Sequence, residues 1–342
     1  MSNYGALISA EFREAPDVVR RQAAALSRPL RELVAALRKK PPHVVVTCAR
    51  GSSAHAATFG KYLIERYLGV PVAEAAPSIT SVYRKDLRLD GQLFLAISQS
   101  GRSEDLIESA HSAKASGALT AALVNDTESP LAATCDIVLP LAAGPELSVA
   151  ATKTFVASLA ALLKLVALWA DEHTIAAALD RLPARLASAS DLDWPRCLGS
   201  HFAGGNLVML GRGPTLAIAR EASLKLKEVC NIHAEAFSGA EFQHGPITLV
   251  AEDYPVLIFA VADATESNLA EVATDLCRKG ASVLITADSG VGTSLPILAP
   301  DHPDTDTLCL IQSFYALAIH LARHRGINVD QPRHLRKVTR TR

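Results

Sequence analysis

The sequence predicts an α/β protein made of two tandem, doubly wound domains, each with a parallel sheet layered between helices. Three observations lead there: short β-branched runs alternate with longer helical stretches, those runs are apolar on both faces, and the second half of the chain echoes the first. Strands without polar alternation are covered on both sides, and strands separated by helices pair in parallel. In the first half the candidate strands are HVVVTC (43–48), LFLAIS (93–98), LTAALVN (119–125) and DIVLPL (136–141). In the second half they are NLVML (206–210), PVLIFAVA (255–262) and SVLITA (282–287). Sliding the halves by 162 positions brings Val44 onto Asn206, Arg50-Gly51 onto Arg212-Gly213 and Glu104 onto Glu266. Such self-similarity marks an internal repeat.

Taken in order, the first 42 residues read as essentially one amphipathic helix, APDVVRRQAAALSRPLRELVAALRKK, stopped by Pro41-Pro42. The first domain spans 43–190 and closes on the apolar helix TKTFVASLAALLKLVALWADE. A junction at LASASDLDWPRCLGS leads to the second domain, 196–326, which closes on DTLCLIQSFYALAIHLARHRG. Residues 327–342 form a C-terminal tail.

With 49% hydrophobic residues in 342, the chain can fill two cores. A formal net charge of −1 provides no field to draw in nucleic acid or an anionic membrane, so neither is an expected partner. Six scattered cysteines fit neither a zinc site nor a disulfide framework, and MSNYGALISA lacks the pattern of a signal peptide. The most apolar stretch, FVASLAALLKLVALWA, is interrupted by Lys164 and is shorter than the roughly 20 residues a bilayer needs. A cytoplasmic location is expected.

RGSS (Arg50 to Ser53) and SQSGRS (Ser98 to Ser103) each stand at the carboxyl end of a strand and just before a helix. Open parallel sheets bind ligands there, and helix starts offer N–H groups and a partial positive charge to an anion. Serine hydroxyls add donors, while Gly51 and Gly101 let the backbone come close. Two such loops suit a phosphomonoester. The plainer alternative is that these serines are ordinary helix N-caps. In the second half the loops become RGPT and ADATES, which replaces neutral donors with carboxylates, so only the first half is expected to bind an anion.

The densest polar stretch is EASLKLKEVCNIHAEAFSGAEFQHGP (221–246). Helical spacing puts Glu221, Lys225 and Glu228 on one stripe, while Ala219, Ala222, Leu226 and Val229 face elsewhere. From spacing alone the stripe is either a solvated face laced by a Glu-to-Lys pair or a catalytic one. His233 and His244 could likewise be structural.

Together, in order, SQSGRSED, ELSVAATKTF, LKLKEVCNIHAEAFSGAEFQHGP and DQPRHLRK resemble the sugar isomerase (SIS) family, and within it the isomerase half of glucosamine-6-phosphate synthase. The resemblance implies two flavodoxin-like SIS domains of three αβα layers, with the tail entering the active site. It implies that Ser53, Ser98, Gln99, Ser100 and Ser103 hold a sugar phosphate, with Ser52 nearby, and that the backbone of Val149 lines the sugar. Glu228 would move a proton between C1 and C2, beside Lys225. His244 would open the sugar ring across a homodimer interface with shared active sites, and Lys337 would form an imine with a ketose carbonyl. No metal or redox cofactor is implied.

Three departures accompany the resemblance. The chain begins MSNYGALISA without an N-terminal cysteine nucleophile, so no ammonia from glutamine is expected; Arg50 replaces a cysteine, and Arg102 replaces an acid. The expected activity is a stand-alone SIS-type deaminase that converts glucosamine 6-phosphate to fructose 6-phosphate and ammonia. Alternatives are a phosphosugar isomerase, a fructosamine-6-phosphate deglycase, and a non-catalytic sugar-phosphate sensor. A transcription regulator would need a helix-turn-helix, and the single N-terminal helix does not supply one. In the basic tail Arg340 and Arg342 read as solvated, and removing everything after Val329 is expected to abolish activity without unfolding the chain.

Overall fold

Two five-stranded sheets, all parallel, carry the chain, and both follow the same path. The computed structural model describes residues 5–199, 202, 204–335 and 337. In chain order the first half holds α1 (Ala6–Arg13), α2 (Ala15–Lys39), β1 (Val45–Ala49), α3 (Ser52–Leu68), β2 (Val72–Glu74), α4 (Pro77–Ser81), β3 (Leu93–Ser98) and α5 (Glu104–Ala115). It continues with β4 (Leu119–Val124), α6 (Pro130–Thr134), β5 (Ile137–Pro140), α7 (Lys153–Trp169) and α8 (His173–Ala189). The second half holds β6 (Asn206–Gly211), α9 (Thr215–Cys230), β7 (His233–Ser238), α10 (Gly239–Phe242), β8 (Pro255–Ile258), α11 (Glu266–Arg278), β9 (Ser282–Ile285), β10 (Thr293–Ser294) and α12 (Pro303–His324). The strand orders are β2-β1-β3-β4-β5 and, read from the corresponding edge, β7-β6-β8-β9-β10. The duplication is therefore one of topology as well as of sequence: the offset that carries Val44 onto Asn206 also carries β2 onto β7, β3 onto β8 and α5 onto α11.

Every strand predicted from the sequence is present, and β2, β7 and β10 are additional. Each of the three has little apolar signal. In β2 only Val72 is buried, β10 is two exposed residues, and β7 (HAEAFS) is an edge strand in which only Ala234 is fully buried. A continuous apolar run marks a strand covered on both faces; these three edge strands lack one, whereas the edge strand β5 keeps it in IVLP.

The described residues divide into two compact units. The first-sheet unit comprises Asp17–Glu146, Lys153–Asp180 and Lys337; the second-sheet unit comprises residues 5–16, Leu147–Thr152 and the described residues of 181–335. The expected helix APDVVRRQAAALSRPLRELVAALRKK is α2; a further helix, α1, precedes it, and the break between the two falls at Glu14. Proline has no N–H, so Pro16 cannot bond the carbonyl four residues earlier, at Phe12. The buried Gln312 of α12 donates to that carbonyl instead, at 2.8 Å, within the second-sheet unit. Asp330 caps the other end of α1, its carboxylate accepting from the N–H groups of Gly5 (3.0 Å), Leu7 (3.3 Å) and Ile8 (3.0 Å). Cutting after Val329 would therefore remove a helix cap along with the tail. Arg340 and Arg342 lie outside the described residues.

In the first-sheet unit, Leu106 and Ala110 of α5 close over Phe94, Ala96 and Ala122 of the sheet. The second-sheet unit repeats the arrangement with Leu269, Val272 and Leu276 of α11 over Val208, Val256 and Ile258. Buried Gln22 of α2 ties the first-sheet unit together by donating to the carbonyls of Leu141 (3.1 Å) and Ala157 (2.9 Å). α7 is buried around most of its circumference, as its composition requires. No described helix is long and apolar enough to cross a membrane. All six cysteines are free thiols, and burial pushes those of Cys48, Cys230 and Cys309 up to about 12.

α7 carries Lys153 at its first position and Lys164 in its interior, and burial lowers the pKa of Lys164 from 10.5 to about 8 against the opposing pull of Asp180. The unfolded chain keeps this proton up to 10.5 while the folded chain gives it up near 8, so the lysine costs stability below about pH 8 and the cost fades as the pH rises to 10.5. At one pKa unit per 1.36 kcal/mol the cost at neutral pH is about 3 kcal/mol. Lys164→Met is expected to raise the melting temperature at pH 7 by several degrees. It should also flatten the rise in stability between pH 8 and 10.5, measured by thermal denaturation across that range.

Candidate active site

β1 and β3 are neighbours in the first sheet, with β2 on the far side of β1, so the strand path reverses direction between them. Ligands of open α/β sheets settle at this switch point, beyond the carboxyl ends of the strands. Ala49 pairs with Ile97 at those ends, and the loops Arg50–Ser53 and Ser98–Ser103 leave the sheet side by side. Gly101 adopts φ 62°, and a Cβ there would lie 2.1 Å from the Ser129 hydroxyl, so no other residue fits the turn. Ser98 accepts the N–H of Gly101 at 3.1 Å, and Ser100 accepts that of Arg102 at 3.3 Å. A hydroxyl used as an acceptor still carries its own proton to donate. Ser103 occupies the N-cap position of α5, yet its side chain makes no capping bond. An ordinary cap therefore does not account for it. Ser52, Ser53, Gln99, Ser100 and Ser103 are all half-buried, as a site open to a solute requires.

The two arginine departures are both ion-paired in this unit. Arg50 donates to Asp105 through Nη2 at 2.7 Å and Nε at 3.1 Å, and Arg102 donates to Asp126 at 2.8 Å. At the corresponding positions of the second-sheet unit the polar groups are consumed locally. Asp263 accepts from the N–H and hydroxyl of Thr265, and Arg212 donates to Asn268.

In the second-sheet unit, α9 brings Glu221, Lys225 and Glu228 together. The Lys225 ammonium lies 2.5 Å from Glu228 Oε2 and 3.4 Å from Glu221 Oε1. The side chains of Glu221, Lys225 and Glu228 are 0%, 1% and 21% exposed, which overturns the reading of a solvated face. Two carboxylates share one buried ammonium, and of the three groups only Glu228 reaches solvent. The other side of the helix is held to β7: Ser223 donates to the carbonyl of Ala234 at 2.6 Å, and Lys227 to the same carbonyl at 3.0 Å.

Lys337 is held in the first-sheet unit, donating to Glu146 at 3.0 Å. Glu146 is wholly buried and also accepts from the N–H (3.2 Å) and hydroxyl (2.7 Å) of Thr154, at the start of α7. Val149 lies half-buried in the 147–152 segment of the second-sheet unit, which Glu11 of α1 grips by accepting the N–H groups of Leu147 and Ser148. His244 is exposed on the turn after α10, its N–H bonded to the carbonyl of Glu241 at 3.0 Å. Sequence reasoning missed Glu146 and Glu11. Neither residue carries a local sequence signal. Among the described residues no group of three or more His, Cys, Asp or Glu is placed to hold a metal ion.

A family profile described as the SIS domain matches residues 37–168 and 203–294, one stretch over each sheet. The chain belongs to the SIS-domain family. Its SIS stretches are also similar to the glutamine–fructose-6-phosphate aminotransferase (isomerizing) of Caulobacter vibrioides, at 36% identity over 315 residues. That match covers 86% of this chain and 51% of the relative, so the chain spans about half the relative's length. Among solved SIS structures, one from Silicibacter pomeroyi described as a phosphosugar isomerase superposes with a TM-score of 0.90 at 45% identity, covering 94% of this chain and 98% of the other. The C-terminal domain of the Francisella tularensis glucosamine–fructose-6-phosphate aminotransferase superposes at 0.84 with 27% identity, covering 94% and 97%.

Removing one partner of a buried ion pair leaves an uncompensated charge and costs about 3–5 kcal/mol. Lys225→Met should therefore destabilise the protein by about that amount in chemical denaturation, and adding Glu221→Gln should recover part of the loss.

Proposed function

We propose that the protein deaminates glucosamine 6-phosphate to fructose 6-phosphate and ammonia. The observation that carries this reading is the Glu228 carboxylate, held by a buried ammonium and alone within the Glu221–Lys225–Glu228 cluster in reaching solvent. A fixed, accessible carboxylate is suited to passing a proton between adjacent carbons. The serine-rich loops at the β1/β3 switch point supply donors for a phosphate, and similarity to aminotransferases named for fructose 6-phosphate supports the substrate class.

In this mechanism Ser53, Ser98, Gln99, Ser100 and Ser103 hold the phosphate, with Ser52 beside them, and the backbone of Val149 meets the sugar. His244 opens the ring; its outward position supports action on the substrate of a second copy, in a homodimer with shared sites. Glu228 then removes the C2 proton of the open aldose and returns it to C1, while Lys225 neighbours the reacting oxygens. The product of that transfer is an imine at C2. Water adds to the imine carbon and ammonia leaves, giving the ketose phosphate. In the opposite direction the Lys337 amine condenses with the C2 carbonyl and releases water. Water is the abundant nucleophile in a cell, which favours deamination. The proposed compartment is the cytoplasm.

A panel of 6-phosphorylated amino sugars and fructosamines, scored for ammonia and ketose phosphate, tests the substrate; glucosamine 6-phosphate yielding neither product would sink the proposal. Glu228→Gln is expected to lower turnover by about 10²–10⁴-fold, the span of a positioned acid–base group, with phosphate binding intact. Truncation after Leu335, which spares the Asp330 cap, should abolish activity and, by leaving the buried Glu146 carboxylate without its ammonium, lower the melting temperature while the protein stays folded. Retained activity would remove Lys337 from the mechanism.

A further inference from the structure

We propose that Arg50 and Asp105 form a clasp across the two serine-rich loops, and that this clasp sets the affinity for the substrate phosphate. The inference rests on reading those loops as the phosphate site. Arg50 is the first residue beyond β1, and Asp105 is the second residue of α5, so the ion pair joins the end of one loop to the helix that follows the other. Arg50 Nε and Nη2 converge on a single oxygen, Oδ2, at 3.1 and 2.7 Å. The other oxygen, Oδ1, accepts the N–H of Leu106 at 2.9 Å.

The exposures of the two side chains are unequal: Asp105 is 4% exposed and Arg50 is 50% exposed. A nearly buried carboxylate thus lies in the first turn of the helix whose N-terminus the phosphate would use. Left alone, its charge would repel a dianion through a poorly screened medium. Arg50 cancels that charge and keeps half of its side chain in solvent on the loop side of the strand. The repeat-related Arg212 takes a neutral partner, Asn268, in the unit whose loops lack the serines. A charge-balancing pair therefore accompanies the serine-rich loops and not their counterparts. Arg50 is a positioning residue here, acting through Asp105 on the phosphate.

The experiment measures Kd for inorganic phosphate by calorimetry, and KM and kcat for glucosamine 6-phosphate, in Arg50→Ala, Asp105→Asn and the double variant. Unmasking one charge near the site should raise Kd and KM roughly tenfold in Arg50→Ala, with kcat within about threefold of wild type. Adding Asp105→Asn should return both to within about threefold of wild type, a rescue that simple damage to the fold would not show. Asp105→Asn alone, which leaves Arg50 unopposed, should tighten phosphate binding about threefold or more, and this variant decides the matter if Arg50→Ala does not fold. Unchanged or weaker binding in Asp105→Asn, a double variant no better than Arg50→Ala, or a wild-type protein that does not bind phosphate would each overturn the proposal. Phosphate affinities that follow this series without turnover of glucosamine 6-phosphate would uphold the clasp and defeat the deaminase reading.

Discussion

A lysine ammonium that water cannot reach must find its counter-charges inside the protein, and Lys225 finds two, Glu221 and Glu228, on its own helix. This requirement fixes the rotation of α9. With the charged stripe turned inward, Ser223 and Lys227 meet the carbonyl of Ala234 on β7, and the helix is held from both sides. Burial of three charges is expensive, and a hydrophobic set of similar volume would often be as stable. What the arrangement provides is a carboxylate in one place with one oxygen engaged. The inward stripe, costly as structure, is intelligible as chemistry.

The two sheets show how a duplicated frame can be put to different uses. Strand order, the offset between repeats and the helices after the first and third repeat strands are common to both. The loops differ in what their polar groups do. In the second-sheet unit Asp263 absorbs both donors of Thr265, so the turn closes on itself. In the first-sheet unit the Ser98 and Ser100 hydroxyls shape the turn only as acceptors, and Ser103 leaves the capping position of α5 unfilled by its side chain.

Fold class, repeat and every central strand were legible because burial on both faces leaves an unbroken apolar run, as in LFLAIS and PVLIFAVA. β2 and β7 were not, since these two edge strands carry too few large apolar residues to stand out; HAEAFS, mostly polar or small, lies in a stretch dominated by charge. The serine loops could be located from their place after strands. The state of α9 could not, because a Glu-Lys-Glu stripe looks the same whether it faces water or a protein interior. Glu11 and Glu146 were invisible for a related reason: each acts on groups distant in sequence, Ser148 and Lys337, with separations of 137 and 191 residues. Pro16, plain in the sequence, breaks the helix there because Gln312 makes the break affordable.

The α1 helix draws its cap and its replacement bond from Asp330 and Gln312, which lie 325 and 300 residues downstream of their respective partners. Domains tend to fold as the ribosome extends the chain, and contacts that close long loops form late. The α1 helix is thus secured long after it is made, and its apolar face, carrying Ile8 and Phe12, stays uncovered until α12 and Asp330 have been synthesised. A nascent chain of this protein would hold α1 available to chaperones until Gln312 and Asp330 have left the exit tunnel.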